Sequence, residues 1–262
     1  MDNRKKRIIG TILVSCALIG LVIYGIFSAN TQRINFTSSD EIIGYLKNKK
    51  PEQLNFTCSE SIYSILRSNE FYEFNRLLLW AQIDYKQAKV SHNDSLRSFS
   101  LKNLVYTDIP CEEVLTRETL NRAVTSFVPK NELFYLLCRE DFYERMTRNH
   151  WLERSLAQNG VSSYSAEYSE FPGLLSVSDI AFFDQPYAVT ADLETFVAAL
   201  RTFSAADATD FYLVLAPDFY DTMTSKPKAM SAIVITEGLS SYKQTLDKNS
   251  CTIHFTNVTF EK

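Results

Sequence analysis

Apolar residues recur along the chain at two different spacings. Beyond residue 33, stretches with an apolar residue at every third or fourth position alternate with shorter stretches that are apolar throughout or at every second position. The first spacing predicts amphipathic helices that bury one face, and the second predicts strands. The predicted elements follow one order three times: helix, strand, helix, helix, strand, strand.

The first helix of each set is predicted from its start signal. Ser38 precedes Glu41 and an apolar run that begins at Ile42, which is the pattern of a capping box. The corresponding helices of the second and third sets are predicted to begin at Thr116 and Thr190.

Tyrosines fix the register of the three sets. The helix after the first predicted strand contains an anchor tyrosine, and a second tyrosine follows it by 21 or 22 residues. The anchor tyrosines lie 80 and 77 residues apart. The pairs are Tyr63 and Tyr85, Tyr143 and Tyr164, and Tyr220 and Tyr242. Several landmarks in one register indicate an internal repeat.

The second half of each set is predicted from chain breakers. The second helix is predicted to end at Gly160 and Gly238 in the last two sets, because glycine tolerates the left-handed backbone that follows a helix. Two strands then form a hairpin in each set. In the first set, the turn of this hairpin is predicted around His92. The closing strands are predicted at 102–106, 178–182 and 256–260.

These elements predict an α+β fold of three tandem α-β-α-α-β-β modules. Each module is expected to be a small, mostly antiparallel sheet covered by helices. Short linkers that contain Pro110 and Pro186 join the modules. The predicted boundaries are 1–33 for a basic stub and anchor, 34–108 for module 1, 109–185 for module 2 and 186–262 for module 3.

The N-terminal segment has the composition of a membrane anchor. The basic residues Arg4, Lys5, Lys6 and Arg7 precede an uncharged, mostly apolar run from Ile8 to Phe27. As a helix, this run would span roughly 30 Å, the thickness of the hydrocarbon core of a bilayer. Basic residues before the span favour a cytoplasmic N-terminus. We therefore expect a single-pass protein of the cell membrane with an extracytoplasmic body.

Two other fates of this segment stay open. A cleaved signal peptide has a shorter apolar run and a small-residue cleavage site, and Phe27-Ser28-Ala29 is a poor site. Leu13-Val14-Ser15-Cys16 resembles a bacterial lipoprotein box with Cys16 as the lipidated residue, although the chain stays apolar beyond it. All three fates place the body outside the cytoplasm.

Composition and charge narrow the classes of partner. Apolar residues make up 45% of the chain and charged residues 22%, which is typical of a globular protein. Five of the 27 basic and one of the 31 acidic residues lie in positions 1–33, so the body carries 22 basic and 30 acidic residues, a net charge of −8. An acidic body argues against nucleic acid as a partner.

Cysteine and histidine offer no convincing catalytic or metal site. Cys58 and Cys138 occupy equivalent strand positions at which the third set has Leu215, so they are predicted to be buried core residues. Export would also permit a disulfide. The three histidines lack the spacing of zinc ligands, and no nucleotide-binding or nucleophile motif occurs. No cofactor and no metal are predicted.

Aromatic residues without a counterpart in the other modules are the candidates for a surface site. Most tyrosines and phenylalanines recur at equivalent positions with core spacing, which indicates packing. Tyr72, Phe171 and Tyr187 do not, and they are the predicted binding residues.

The repeat itself resembles a known family. The succession of an apolar strand, a Phe-Tyr helix (Phe142-Tyr143, Phe219-Tyr220), a Gly-x-x-x-Tyr strand (Gly160, Gly238) and a hairpin is similar to the repeats that precede transglutaminase-like domains in exported Gram-positive bacterial proteins. The resemblance covers residues 38–261. It implies an accessory or binding module at the cell surface, because the catalytic Cys-His-Asp domain of that family has no counterpart here.

The functional hypothesis is a membrane-anchored, extracytoplasmic, non-enzymatic binding or scaffold protein. Its expected partner is a protein or the cell wall. The alternative is an exported hydrolase or transferase with its active site between modules, for which Asp179, Asp184 and His150 of the middle module are the nearest candidates.

Overall fold

A computed structural model describes residues 34–261 of the chain. The predicted membrane segment and Cys16 lie outside these residues. Among the helices that the structure does describe, none has the length and apolar content that a bilayer crossing requires. The chain divides into two compact units, one ending at Thr107 and the other beginning at Asp108.

Each module contains the same series of elements. Module 1 is built from β1 (Ile34–Phe36), α1 (Ser39–Lys49), β2 (Gln53–Cys58), α2 (Glu60–Arg67), a 3-10 turn (Asn69–Phe71), α3 (Tyr72–Trp80), β3 (Lys89–Asn93) and β4 (Ser98–Lys102). Module 2 is built from β5 (Cys111–Glu113), α4 (Arg117–Phe127), β6 (Phe134–Leu137), α5 (Glu140–Arg148), α6 (Trp151–Gln158), β7 (Val161–Ser169) and β8 (Leu174–Phe182). Module 3 is built from β9 (Tyr187–Thr190), α7 (Leu193–Ala205), β10 (Phe211–Leu215), α8 (Pro217–Ser225), α9 (Pro227–Thr236), β11 (Leu239–Asp247) and β12 (Thr252–Phe260).

Residues 34–261 form three four-stranded sheets with one common topology. The second strand of each module pairs in parallel with the first and antiparallel with the fourth, and the fourth pairs antiparallel with the third. The strand orders are β1-β2-β4-β3, β5-β6-β8-β7 and β9-β10-β12-β11. The predicted α+β class and the three repeated modules are confirmed, although each sheet is mixed and has one parallel pair.

The parallel edge strand of each module differs from the prediction. β5 and β9 begin directly after Pro110 and Pro186, the prolines of the segments predicted to be linkers, and each strand is too short to show a spacing of apolar residues. The backbone carbonyl of Pro110 accepts a hydrogen bond from the N–H of Tyr135 at 2.9 Å, and that of Pro186 accepts one from Tyr212 at 2.9 Å. These prolines therefore mark the start of an edge strand, where a missing N–H costs no ladder bond.

The closing hairpin of module 1 is shorter than predicted. β4 ends at Lys102, and the rest of the strand predicted at 102–106 contributes only an isolated bridge between Ile83 and Tyr106. Asn103, Asp179 and Asn257 share one place in the three modules and have left-handed backbone, with φ of 56, 52 and 53°. The ladders of modules 2 and 3 continue beyond this residue with a register shift, which is the behaviour of a β-bulge, whereas the ladder of module 1 stops there.

Helix capping follows the prediction in two modules and corrects it in the third. Ser38 accepts a hydrogen bond from the N–H of Glu41, and Thr116 forms a capping box with Thr119. In module 3 the cap is Asp192, which accepts a bond from the N–H of Thr195 at 2.9 Å. The residue predicted for this role, Thr190, is buried in β9 instead.

Each module has its own hydrophobic core between its sheet and its helices. The central-strand residues Phe56, Leu136 and Leu213 are equivalent and fully buried. The free thiols of Cys58 and Cys138 are also buried, each at the end of the same strand or just beyond it. Alternation along the strands leaves one face of each sheet turned away from its helices.

Candidate functional site

A cleft of the second unit lies between modules 2 and 3. It has a volume of about 300 Å³. Module 2 contributes α6 and the start of β7, while module 3 contributes the face of its sheet that is turned away from its own helices. We refer to it as the module 2–3 cleft. Its volume matches the smaller binding pockets of known proteins.

Aromatic rings form one wall of this cleft. Tyr212 on β10 pairs in register with His254 on β12, and alternation turns both side chains to the open face. Their rings stack at 3.9 Å between centroids, and the ring of Phe183 stacks on Tyr212 at 4.3 Å. The hydroxyl of Tyr212 donates to Asp184 at 3.3 Å, which fixes the orientation of the stack.

The opposite wall comes from module 2. Glu153 and Leu156 project from α6, and Tyr164 projects from β7. Arg154 anchors this wall to module 3, because its Nε donates to the backbone carbonyl of Asn249 at 3.3 Å. The cleft is therefore bounded by contacts between two modules of one compact unit.

Asp247 at the end of β11 organises the polar floor. Its carboxylate accepts hydrogen bonds from the hydroxyl of Ser250 at 2.6 Å and from the N–H of Asn249 at 2.9 Å. The Ser250 hydroxyl also lies 2.9 Å from that of Thr252. This carboxylate thus carries its charge in a fixed position beside the cleft.

Two buried polar atoms of the cleft have no hydrogen-bond partner among the described residues. They are Oε2 of Glu153 and Nε2 of His254. The other carboxylate oxygen of Glu153 lies 3.6 Å from Nδ1 of His150, and the Glu153 side chain as a whole is 28% exposed. Because buried polar groups are nearly always paired, these two atoms mark a locally unsatisfied polar environment in the walls of the cleft.

The acidic surroundings act on the tyrosines. Burial, followed by the charges of Glu153 and Asp247, raises the pKa of Tyr164. Burial and the neighbouring carboxylate of Asp184 raise the pKa of Tyr212. Both tyrosines are therefore neutral at physiological pH and offer hydroxyl groups and ring faces.

No family model matches this sequence, and no characterised protein is significantly similar to it.

The three predicted binding residues have different surroundings. Tyr187 is 42% exposed and pairs in register with Tyr212, so it extends the aromatic wall of the cleft at its rim. Phe171 is 41% exposed in the hairpin turn of module 2, and Tyr72 on α3 lies against the guanidinium of Arg76. Only Tyr187 is adjacent to the cleft lining.

The weaker candidates of the middle module are also separated. Asp184 orients Tyr212, and His150 lies beside Glu153. Asp179 bonds to the hydroxyl of its neighbour Ser178 at 3.2 Å and does not line the cleft. Two of the three therefore support cleft residues without facing the cavity.

The main cleft residues were not predicted from the sequence. One signal could have indicated them: β10 is apolar at Tyr212 and Val214 as well as at the alternating core positions. A strand that is apolar on both faces is covered on both faces. Glu153 gave no such signal, because a carboxylate on a helix usually faces solvent.

The side chains around the cleft do not form a recognisable catalytic arrangement. The Ser250 hydroxyl donates to Asp247 and lies beside the Thr252 hydroxyl, and burial raises the pKa of the Cys251 thiol. No group of three potential metal ligands occurs among the described residues. What the cleft offers is fixed acceptors next to an aromatic wall.

A second polar cluster lies in module 1. The Tyr63 hydroxyl donates to Asp94 and lies 2.9 Å from Nδ1 of His92, and Arg67 pairs with Asp94 at 3.3 Å. Burial and the bond to Asp94 raise the pKa of Tyr63 to about 12, so this phenol stays protonated near neutral pH. The cluster ties an anchor tyrosine to its hairpin.

Module 2 performs the same task without charge. Its anchor, Tyr143, stacks on the hairpin residue Tyr168 with 3.9 Å between ring centroids. The equivalence of the two contacts indicates that the cluster in module 1 is structural.

Proposed function

We propose that this chain is a non-enzymatic binding protein of the cell surface, and that the module 2–3 cleft is its ligand site. The ligand class is a small molecule with a cationic hydrogen-bond donor, such as an ammonium group, beside a flat or apolar face. Amino sugars and the amino groups of short peptides have this chemistry.

The observation that carries the proposal is the lining of the cavity, where the acidic residues Glu153 and Asp247 lie beside the aromatic rings of Tyr212 and Phe183. A charged donor forms the stronger bond with a carboxylate.

The remaining features of the cleft select the same class. Glu153 and Asp247 both carry negative charge at the cavity, and no lysine or arginine is among its lining residues. The faces of Tyr212 and Phe183 favour a cation or an apolar ring face. A negatively charged ligand would meet repulsion from both carboxylates.

The cell-surface address is proposed from the N-terminal sequence. The basic residues before the apolar run Ile8–Phe27 support a cytoplasmic N-terminus, which would place the body outside the cytoplasm. Protease digestion of intact cells that express the chain with a C-terminal tag tests this address, since only an external tag is removed.

A hydrolase is the alternative function, favoured by the presence of Ser250, Asp247 and His254 around one cleft. Hydrolysis by a serine requires that its hydroxyl be deprotonated by a base while it attacks. The Ser250 hydroxyl donates its hydrogen bond to Asp247. If the binding proposal holds, a ligand captured by the cleft will be recovered chemically unchanged.

Calorimetry on the full-length chain in mild detergent tests the binding proposal. The probes are small amines paired with their hydroxyl analogues, beginning with glucosamine and glucose. The amine of a pair is expected to bind more tightly, and Glu153→Gln should weaken it about tenfold or more. Glu144→Gln is the matched control, because Glu144 is exposed on α5 and does not line the cleft.

Equal binding of amine and alcohol, or an equal effect of both substitutions, would show that the carboxylate does not select the ligand. Appearance of a hydrolysis product that depends on Ser250 would replace the binding proposal by the hydrolase.

A further inference from the structure

The aromatic wall of the module 2–3 cleft continues beyond the cavity to an exposed tyrosine at its rim. His254, Tyr212 and Tyr187 are register neighbours on three adjacent strands, so their side chains form one row on the open face of the sheet. Phe183 joins this row, because its ring centroid lies 4.3 Å from that of Tyr212 and 5.6 Å from that of Tyr187. Tyr187 is 42% exposed and lies outside the cavity that the other three residues line. A ligand longer than the cavity would therefore meet Tyr187.

The ring of Tyr187 is held in place although it is exposed. A Cβ atom built on Gly160 would lie 3.0 Å from three atoms of the Tyr187 side chain, so the tyrosine occupies the space that a side chain at position 160 would need. The carbonyl of Gly160 also accepts a hydrogen bond from the N–H of Phe183 at 2.8 Å, so both aromatic residues are fixed against one peptide segment. A tyrosine that is fixed before binding loses little conformational freedom when a ligand covers it.

The common fold of the modules does not require an aromatic ring at the position of Phe183. The equivalent backbone hydrogen bond of module 1 runs from the N–H of Thr107 to the carbonyl of Gln82 at 2.7 Å. In module 3 it runs from the N–H of Glu261 to the carbonyl of Gly238 at 2.8 Å. The counterparts of Phe183 are thus a threonine and a glutamate. The aromatic rings at the rim are therefore a local addition to a shared backbone, which favours a role in contact over a role in folding.

The polar lining of the cavity favours a ligand with many hydrogen-bond donors. Glu153 and Asp247 contribute carboxylates, which only accept hydrogen bonds, and hydroxyl groups come from Thr245, Ser250 and Thr252. A sugar with hydroxyl and amino groups can donate to both kinds of group, whereas the carbonyl groups of a peptide backbone only accept. The apolar C–H face of a sugar ring also suits an aromatic side chain, because their contact removes apolar surface from water.

We infer that the ligand of the module 2–3 cleft is a linear oligosaccharide that carries amino groups. One sugar unit occupies the cavity of about 300 Å³, and the next unit covers the ring of Tyr187 at the rim. Successive units of a linear sugar chain repeat at nearly the spacing of adjacent strands, roughly 4.8 Å, so consecutive units can follow the aromatic row from β10 to β9. This inference rests on the binding function proposed above and adds the class and the length of the ligand.

Calorimetry on the full-length chain in mild detergent tests the inference with glucosamine and its β-1,4-linked dimer and tetramer. The dimer is expected to bind about tenfold more tightly than the monomer, because only the dimer is long enough to cover the apolar surface of Tyr187. The tetramer should gain little more, since β9 is the edge of the sheet and the aromatic row ends there.

Substitutions at the rim test the contact with the second sugar unit. Tyr187→Ala should abolish most of the difference in affinity between dimer and monomer, and Tyr187→Phe should keep most of it because the ring remains. Phe171→Ala is the matched control, because Phe171 is 41% exposed in the hairpin turn of module 2 and does not line the cleft. This control should leave the preference for the dimer unchanged.

Each contrary result has a separate meaning. If the monomer binds and Glu153→Gln weakens it, but the dimer binds no more tightly, the inference is wrong and the proposed binding function stands. A Tyr187→Ala variant that keeps the full preference for the dimer would disprove the contact at the rim. Tetralysine that binds more tightly than the sugar tetramer would identify a peptide ligand in place of the oligosaccharide. If glucosamine and its oligomers bind no better than glucose, the proposed function fails and the inference fails with it.

Discussion

Replacing Phe56 by alanine is expected to destabilise the first unit severely. Phe56 is fully buried, and its ring centroid lies 5.3 Å from Phe36, 5.5 Å from Phe99 and 6.5 Å from Phe74. Truncation of a buried phenylalanine costs about 3–5 kcal/mol, and the loss of these ring contacts favours the upper end. With a urea dependence of roughly 2 kcal/mol per molar, the unfolding midpoint should fall by roughly 2 M.

The chain contains two tryptophans, one in each unit, that report this effect separately. Trp80 packs on the core of module 1, and Trp151 lies 5.9 Å from Phe142 in the core of module 2. Fluorescence of Trp151→Phe follows the first unit during urea unfolding, and fluorescence of Trp80→Phe follows the second. Phe56→Ala is expected to shift the Trp80 transition and to leave the Trp151 transition nearly unchanged.

A milder variant protects the test against complete unfolding. Phe56→Leu should shift the same transition by a smaller amount, about 1 kcal/mol. Equal shifts of the two tryptophan transitions would refute the reasoning, because they would mean that the cores unfold as one. A loss below about 1 kcal/mol for Phe56→Ala would contradict the burial argument itself.

Other changes test single features. Gly160→Ala should lower the melting temperature more than Gly238→Ala: both glycines have left-handed backbone, with φ of 83 and 94°, but only at Gly160 would the new Cβ lie 3.0 Å from a tyrosine ring. Burial raises the pKa of the Cys58 thiol to about 11, so alkylation followed by mass spectrometry should be far slower in the native than in the urea-unfolded chain, and rapid native labelling would contradict the core position. The hydrogen bond from Tyr63 lowers the pKa of Asp94, so Tyr63→Phe should raise that pKa in a carbon NMR titration. Because the folded-state pKa of Asp94 is depressed, its contribution to stability is present above its unfolded pKa and is lost as the pH falls through the folded value, and an unchanged titration would disprove the link.

Much of the fold could be predicted because the core positions repeat. The anchor tyrosines and the glycines at 160 and 238 fall at fixed intervals, and each repeated feature occupies the same place in the structure. Burial imposes the same demand on equivalent positions, so the sequence retains a visible period there.

Short parallel strands could not be predicted in this way. β1 and β5 have three residues each, which is too few to show alternation. These segments become strands because they pair with the free edge of the central strand. That pairing is a tertiary interaction, which the local sequence does not show. The prediction of the closing strand of module 1 was wrong for a related reason. The strand pairing ends before Asn103, whereas the equivalent residues Asp179 and Asn257 form a bulge within a ladder that continues.

The candidate site was hidden because it depends on contacts between modules. Tyr212 belongs to a repeated strand, and its position was interpreted as packing. The side chain does pack on His254, but it also faces a cavity. Glu153 is an ordinary helix residue until module 3 is placed against it. Tyr187 was predicted because it lacks a counterpart, and that criterion led to the rim of the cleft.

The three modules differ most in character on the open faces of their sheets. Core residues of the three modules interchange one apolar side chain for another, whereas the first central position of the open face is Asn55, Tyr135 or Tyr212 and the second is Thr57, Leu137 or Val214. If only the stability of each module mattered, the residues of a solvent-facing row would not be constrained. An apolar row in modules 2 and 3 beside a neutral polar row in module 1 would then bring no gain. The differences are therefore best explained by what covers each face. In module 3 the cover is α6, and it encloses a cavity lined by two acidic residues and an aromatic wall, which is a poor arrangement for stability and a suitable one for binding.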